Sequence, residues 1–216
     1  MEGTGILYDP LLKLIPESIE NEVIPLSQFQ SKEPALQAIE LAKTIGNEET
    51  VIFTESYSGL IAYELCKLES PSIIHVFFAA GFLERPSLIS KFSQILPLTF
   101  LRWKLIPRGL LSFLFFGESS KKELVDLFYR SLSQVTNKTL RTRLNIIAKA
   151  KRPKERINQP VTYISASNDW LVSESSIEVF EELCSNLNIV NLEGGHFIVQ
   201  SNPEKCWEQI LNVIAL

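Results

Sequence analysis

An α/β fold, with a largely parallel sheet and crossover helices, is what this sequence predicts, and three observations predict it. Short apolar runs bounded by turn residues alternate with longer amphipathic stretches, as they do where each strand is followed by a helix that returns the chain to the sheet. The alternation breaks once, from Leu88 to Ala150, where the patterning is helical throughout with no convincing strand, and then resumes. The 216 residues are 45% hydrophobic and 21% charged. That balance suits one globular domain carrying a sizeable insertion, and the length is too short for a second independent domain.

The elements follow in order. Gly5 to Ile15 reads as a loop running into a helix that Pro16 stops, and Glu22 to Leu26 as a short strand. Pro34 sits where a first helical turn accepts proline, and Ala35 to Ile45 carries apolar residues at helical spacing until Gly46 ends it. Val51-Ile52-Phe53 is a short buried strand. Ser58 to Leu68 is a helix with Leu60, Ile61, Leu65 and Leu68 on its apolar side, and Ile73 to Ala79 is a further strand closed by Gly81. After the helical insertion, the basic, proline-containing stretch Lys149 to Arg156 reads as a solvated linker back to the sheet. Val161 to Ser165 is a strand, Ser173 to Ser185 a helix, Ile189 to Leu192 a strand, and Pro203 to Ile214 a closing helix. The core is therefore 1–86 with 151–216, and the insertion about 87–150.

Composition excludes several function classes. A formal charge of -4 leaves no basic footprint for a phosphate backbone, so no nucleic-acid partner is expected. Cys66, Cys184 and Cys206 lack the spacing of a zinc site or redox dithiol and read as small buried hydrophobes in a reducing cytoplasm. The start of the chain has neither the basic residues nor the apolar core of a secretory signal, and Asn137-Lys138-Thr139 is a sequon with no weight inside a cell. Pro97 to Phe116 approaches the length of a membrane span, but Arg102, Lys104, Pro107 and Arg108 interrupt it. A helical hairpin broken at Pro107 is preferred to a surface that docks on lipid. Phe113, Phe115 and Phe116 suit either a greasy pocket lining or structural core.

The chemistry concentrates at three strand ends. Val51 to Gly59 is a buried strand turning sharply into a helix with Ser56 at the corner; such a corner strains the backbone and needs small residues on either side, a need that Thr54, Ser58 and Gly59 meet. A serine there lies at a helix N-terminus, where free N–H groups favour developing negative charge and the Tyr57 amide can serve an oxyanion hole. The strand from Val161 leads to a loop ending in Asp169, and Leu192-Glu193-Gly194-Gly195 leads to His196. A serine hydroxyl needs a base within reach, and the base needs a carboxylate to fix its tautomer and stabilise its charged form. His75, inside an apolar run, reads as a hydrogen-bonded sheet residue. Asp9 precedes the serine, Asp126 falls in the insertion, and Glu193 lies too close to His196 in sequence to reach the far side of its ring easily.

These residues carry a resemblance to the α/β-hydrolase family, in particular to small members with a Gly-Thr-Gly start, a Glu-Ser-aromatic-Ser-Gly elbow and a helical cap, and it covers nearly the whole chain. The resemblance implies a Ser56, Asp169 and His196 triad, with the insertion as a cap over an acyl pocket. A serine at the elbow, where dehalogenases and epoxide hydrolases would have aspartate, favours hydrolysis of a small-molecule ester or thioester with an apolar acyl group. No metal or organic cofactor is required. In the family a central strand ending in Pro-Gly precedes the segment matching Met1 to Gly5, and the loop after it supplies the second oxyanion amide. Here Met1 or Glu2 would supply it, and the N-terminal strands are expected to be missing, through truncation or a wrongly started gene model. Two other readings remain open: an acyltransferase using the same triad, and a catalytically inactive binding module.

Overall fold

Four apolar, β-branched or aromatic-rich segments pair side by side in the computed structural model, which describes residues 2–86, 104–117 and 122–215. They are β1 (Thr50–Glu55), β2 (Ile73–Ala79), β3 (Ile157–Ala166) and β4 (Cys184–Leu192), all parallel and in the spatial order β1-β2-β3-β4. Parallel neighbours require crossovers, and the helices supply them. The helices are α1 (Asp9–Leu12), α2 (Pro34–Ile45), α3 (Ser58–Cys66), α4 (Arg108–Phe116), α5 (Lys122–Ser133), α6 (Asn137–Lys149), α7 (Ser175–Leu183), α8 (Ile198–Ser201) and α9 (Pro203–Ile214).

Successive side chains of a strand face opposite ways, so the sheet builds a core on each side. Phe78 and Tyr163 point to one face, where Phe180 of α7 packs against both rings at 4.9 and 4.7 Å. Phe77 and Ile164 point to the other, with Leu11, Ile198, Cys206 and Ile210 from α1, α8 and α9. Helices α4, α5 and α6, between β2 and β3, extend the first core. Val125, Phe128, Tyr129 and Leu132 of α5 recur at helical spacing and are all buried. Thr136 caps α6, its hydroxyl accepting the Thr139 N–H at 3.1 Å.

Element boundaries agree closely with the sequence reading at β2 and α9, and at α2, where Pro34 opens the helix and Gly46 closes it with a positive φ of 62°. The region read as helical is so in α4, α5 and α6; residues 87–103 and 118–121 lie outside the described residues. Residues 151–156 form the irregular link back to the sheet, tied down by Arg152 to Glu84 and Glu182. One expectation is corrected. Glu22 to Leu26 is not a strand; among the described residues nothing pairs with it as a ladder, and its fixed point is Leu26 N–H donating to Gly3 O at 2.8 Å. Strand conformation is stabilised by a neighbour on the hydrogen-bonding side, and β1, at the sheet edge, pairs with β2 alone. The three cysteines are buried and unbridged. Among the described residues, no helix is long and apolar enough to cross a membrane.

Candidate active site

The corner after β1 has the strain its sequence suggested. Ser56 adopts φ 57°, a left-handed conformation that non-glycine residues avoid unless their surroundings impose it. Three bonds impose it here. Ser56 N–H donates to Ala79 O at 2.9 Å, Glu55 N–H donates to Ser58 Oγ at 3.0 Å, and the Ser58 hydroxyl donates back to Glu55 O at 2.8 Å. Thr54 is anchored by its hydroxyl to Phe77 O, and a methyl group on Gly59 would stand 3.2 Å from the Phe78 ring, so the small residue there lets α3 leave close to β2.

Asp169 follows β3 in a turn that its own carboxylate organises. Oδ1 accepts the N–H groups of Leu171 at 2.8 Å and Val172 at 2.9 Å, leaving Oδ2 for His196 Nδ1 at 2.8 Å. The other ring nitrogen, Nε2, lies 2.8 Å from Ser56 Oγ. An ionised carboxylate only accepts, so Nδ1 carries the proton and Nε2 is left to accept from the hydroxyl. Ser56 and His196 are buried. Ser56, His196 and Asp169 thus form one hydrogen-bonded chain drawn from three strand ends.

Burial opposes charging the His196 ring, yet the Asp169 carboxylate, its hydrogen bond and the Glu55 charge outweigh it and hold the imidazole above its ordinary value. Burial likewise opposes ionising Asp169. The facing histidine and the two turn N–H groups prevail, and its carboxyl sits below the usual range.

Gly194 and Gly195 are where the helical stretch meets the histidine loop. Gly194 has φ 150°, and a methyl group on Gly195 would collide with the backbone of Phe115, Phe116 and Gly117. Phe197 N–H donates to Phe115 O at 2.8 Å, and the rings of Phe115, Phe116 and Phe128 gather on Phe197 at 5.3 to 5.8 Å. Phe116 is therefore core, whereas Phe113 is exposed and lies against exposed Trp170 at 5.6 Å.

Other candidates fall elsewhere. His75 Nε2 meets Thr162 Oγ1 at 2.9 Å in the sheet, Asp9 pairs with Arg130, Asp126 pairs with Arg108, and Glu193 is exposed. Tyr57 is buried at the start of α3. Met1 lies outside the described residues, and the Glu2 carbonyl accepts from the buried Arg143 of α6. The same N-terminal stretch is held to α5 by Thr4 Oγ1 and Ser131 Oγ at 2.7 Å. Among the described residues no three His, Cys, Asp or Glu side chains converge as metal ligands. Two half-open cavities, of about 340 Å³ beside Tyr129 and about 400 Å³ beside Phe29, are lined by none of Ser56, His196 and Asp169.

The sequence reading gives no role to two polar residues, Glu55 of the elbow motif and Gln200. The buried Glu55 carboxylate accepts Val199 N–H at 3.1 Å and Gln200 Nε2 at 3.0 Å, and Gln200 Nε2 also donates to Leu7 O at 3.0 Å. Together they bind the serine corner, the segment after the histidine and the N-terminal stretch. The only signal was an acidic residue next to the serine in an apolar strand.

No protein-family model matches the sequence, and comparison with curated proteins finds no match. Solved structures do match. A hydrolase from Oleispira antarctica superposes with TM-score 0.77 at 13% identity, covering 100% of this chain and 88% of that one. An esterase from Thermogutta terrifontis gives 0.70 at 14% identity over 98% and 85%, and the epoxide hydrolase CorEH gives 0.62 at 14% over 84% and 73%. The chain has the α/β-hydrolase fold. Because proteins named for different reactions share that frame, the reaction has to be argued from the side chains.

Proposed function

We propose that this protein is a serine hydrolase that cleaves a carboxylic ester or thioester through an acyl-enzyme intermediate. The observation that carries the reading is the bridging imidazole, with Ser56 Oγ on one nitrogen and Asp169 Oδ2 on the other, each at 2.8 Å. Ser56 Oγ attacks the substrate carbonyl carbon while His196 Nε2 takes the hydroxyl proton. Asp169 holds the ring and stabilises its charged form. The tetrahedral oxygen is met by the Tyr57 amide, one of the helix-start N–H groups without an intrahelical partner, and, as the family resemblance implies, by an N–H of Met1 or Glu2. Collapse expels the alcohol or thiol with the proton from His196. Water then repeats the sequence on the acyl group and frees Ser56.

In this reading the insertion of about 87–150 is the cap, and the exposed aromatic pair Phe113 and Trp170, the latter adjoining Asp169 in sequence, supports an apolar acyl group in a small-molecule substrate. The reaction runs in the cytoplasm, without metal or organic cofactor. The test is Ser56→Ala, which is expected to keep the fold while abolishing both turnover of a short-chain nitrophenyl ester and labelling by a fluorophosphonate probe. Labelling that survives the change overturns the proposal.

A further inference from the structure

Glu55 is an expensive residue to keep. It is buried, and desolvation raises its carboxyl to about 7 against the pull of its bonds to Gln200 and Val199 and of the nearby His196. A leucine or valine would suit the end of an apolar parallel strand better. The carboxylate's hydrogen bonds go to Val199 and Gln200, three and four residues past His196, and its charge reaches the imidazole as the largest upward influence there after Asp169.

We infer that Glu55 is a positioning residue that locks the segment carrying His196 against the serine corner through its bonds to Val199 and Gln200. The catalytic consequence rests on the triad reading above; the electrostatic one does not. The other titratable groups around Glu55 are Glu2, Tyr8 on the N-terminal turn and Cys206 on α9. The imidazole itself also feels Asp169, which favours its charged form, and the N-terminal amine, which opposes it.

The chain has two histidines, so the imidazole titration is directly readable by NMR. Glu55→Gln is expected to lower the His196 midpoint by roughly half a unit or more, to shift the acid limb of kcat/KM to lower pH by the same amount, and to reduce kcat about tenfold with KM little changed. Gln200→Met provides the second arm, in case the first variant folds poorly. It keeps the carboxylate but removes a donor, so Glu55 ionises less readily and the His196 midpoint again falls. A midpoint that stays at the wild-type value in either folded variant overturns the inference. Absence of probe labelling in the wild type would instead sink the hydrolase reading, because the imidazole titration needs no turnover.

Discussion

Gly195 and Gly117 meet backbone to backbone: a methyl group on Gly195 would stand 2.5 Å from the Gly117 amide nitrogen and 2.6 Å from the Phe116 carbonyl carbon. Neither atom belongs to a flexible side chain that can swing aside, so the collision must displace either the end of α4 or the residue next to His196. Gly195→Ala is therefore expected to destabilise the fold by about 1–3 kcal/mol and to cut kcat/KM by roughly a hundredfold, as misplacement of an imidazole by about 1 Å does. Gly109→Ala is the control, since nothing lies within 4 Å of its added methyl group. Equal activity and equal urea midpoints for the two variants would show that the contact does not position the histidine.

Asp169→Asn removes the acceptor that keeps the proton on Nδ1. The amide can donate to that nitrogen instead, which puts the proton on Nε2 and turns it away from accepting the Ser56 hydroxyl. A kcat lower by about 10³–10⁴ at neutral pH is expected, with KM within a few fold. Burial would then act on His196 without its main counterweight, so the imidazole titrates lower than in the wild type. An active variant with an unmoved pH profile would contradict the assigned roles.

The same pair shapes stability against pH. Asp169 is held below its usual range, so its contribution is present above its unfolded value of about 3.9 and is lost as pH falls through the folded one. His196 is held above its ordinary value, so its contribution is present below about 6.5 and is lost as pH rises through the folded one. Glu55, raised to about 7, adds to the decline, because the folded state favours its neutral form and stability falls between its unfolded value and that point. Unfolding free energies from urea titrations should thus peak at about pH 4 to 5, and Asp169→Asn should flatten the acid shoulder while the decline due to Glu55 remains.

Much of this site was legible because its chemistry is local. The serine corner announces itself by Thr54, Ser58 and Gly59 around a strained residue, and Asp169 and His196 each follow an apolar strand. Strands β3 and β4 were read too short at their starts. β3 begins at Ile157, but Pro160 and Asn158 broke the apolar pattern; β4 begins at Cys184, inside the stretch read as helix to Ser185, and its Asn186 and Asn188 look like loop and become strand only by pairing with β3. Glu22 to Leu26 failed in the opposite sense, having strand composition without a partner. The roles of Glu55, Gln200 and Arg143 were not legible for a further reason: their partners lie 141 to 193 residues away along the chain, or 144 and 145 in the case of Glu55, and no periodicity encodes such burial.

Arg143 offers the sharpest test of how the helical stretch supports the N-terminal residues. It is only 3% exposed, it donates to the Glu2 carbonyl, and a methyl group on Gly3 would stand 2.9 Å from its guanidinium. Burial lowers its pKa, and Tyr57 and Glu2 push back, so the cation is retained by its neighbours and in turn holds residues 2 and 3 in register beside the serine corner. Arg143→Met keeps the bulk but leaves the Glu2 carbonyl without this donor, and is expected to cost about 1–3 kcal/mol. If residues 1 and 2 supply the second oxyanion amide, kcat should fall by roughly tenfold to a hundredfold while KM stays near the wild-type value. Arg130→Met, which breaks the exposed pair with Asp9, should cost under about 1 kcal/mol and leave kcat unchanged. Should the two variants lose kcat to the same degree, the effect would belong to general loosening of α5 and α6, and the special place given to Arg143 would be wrong.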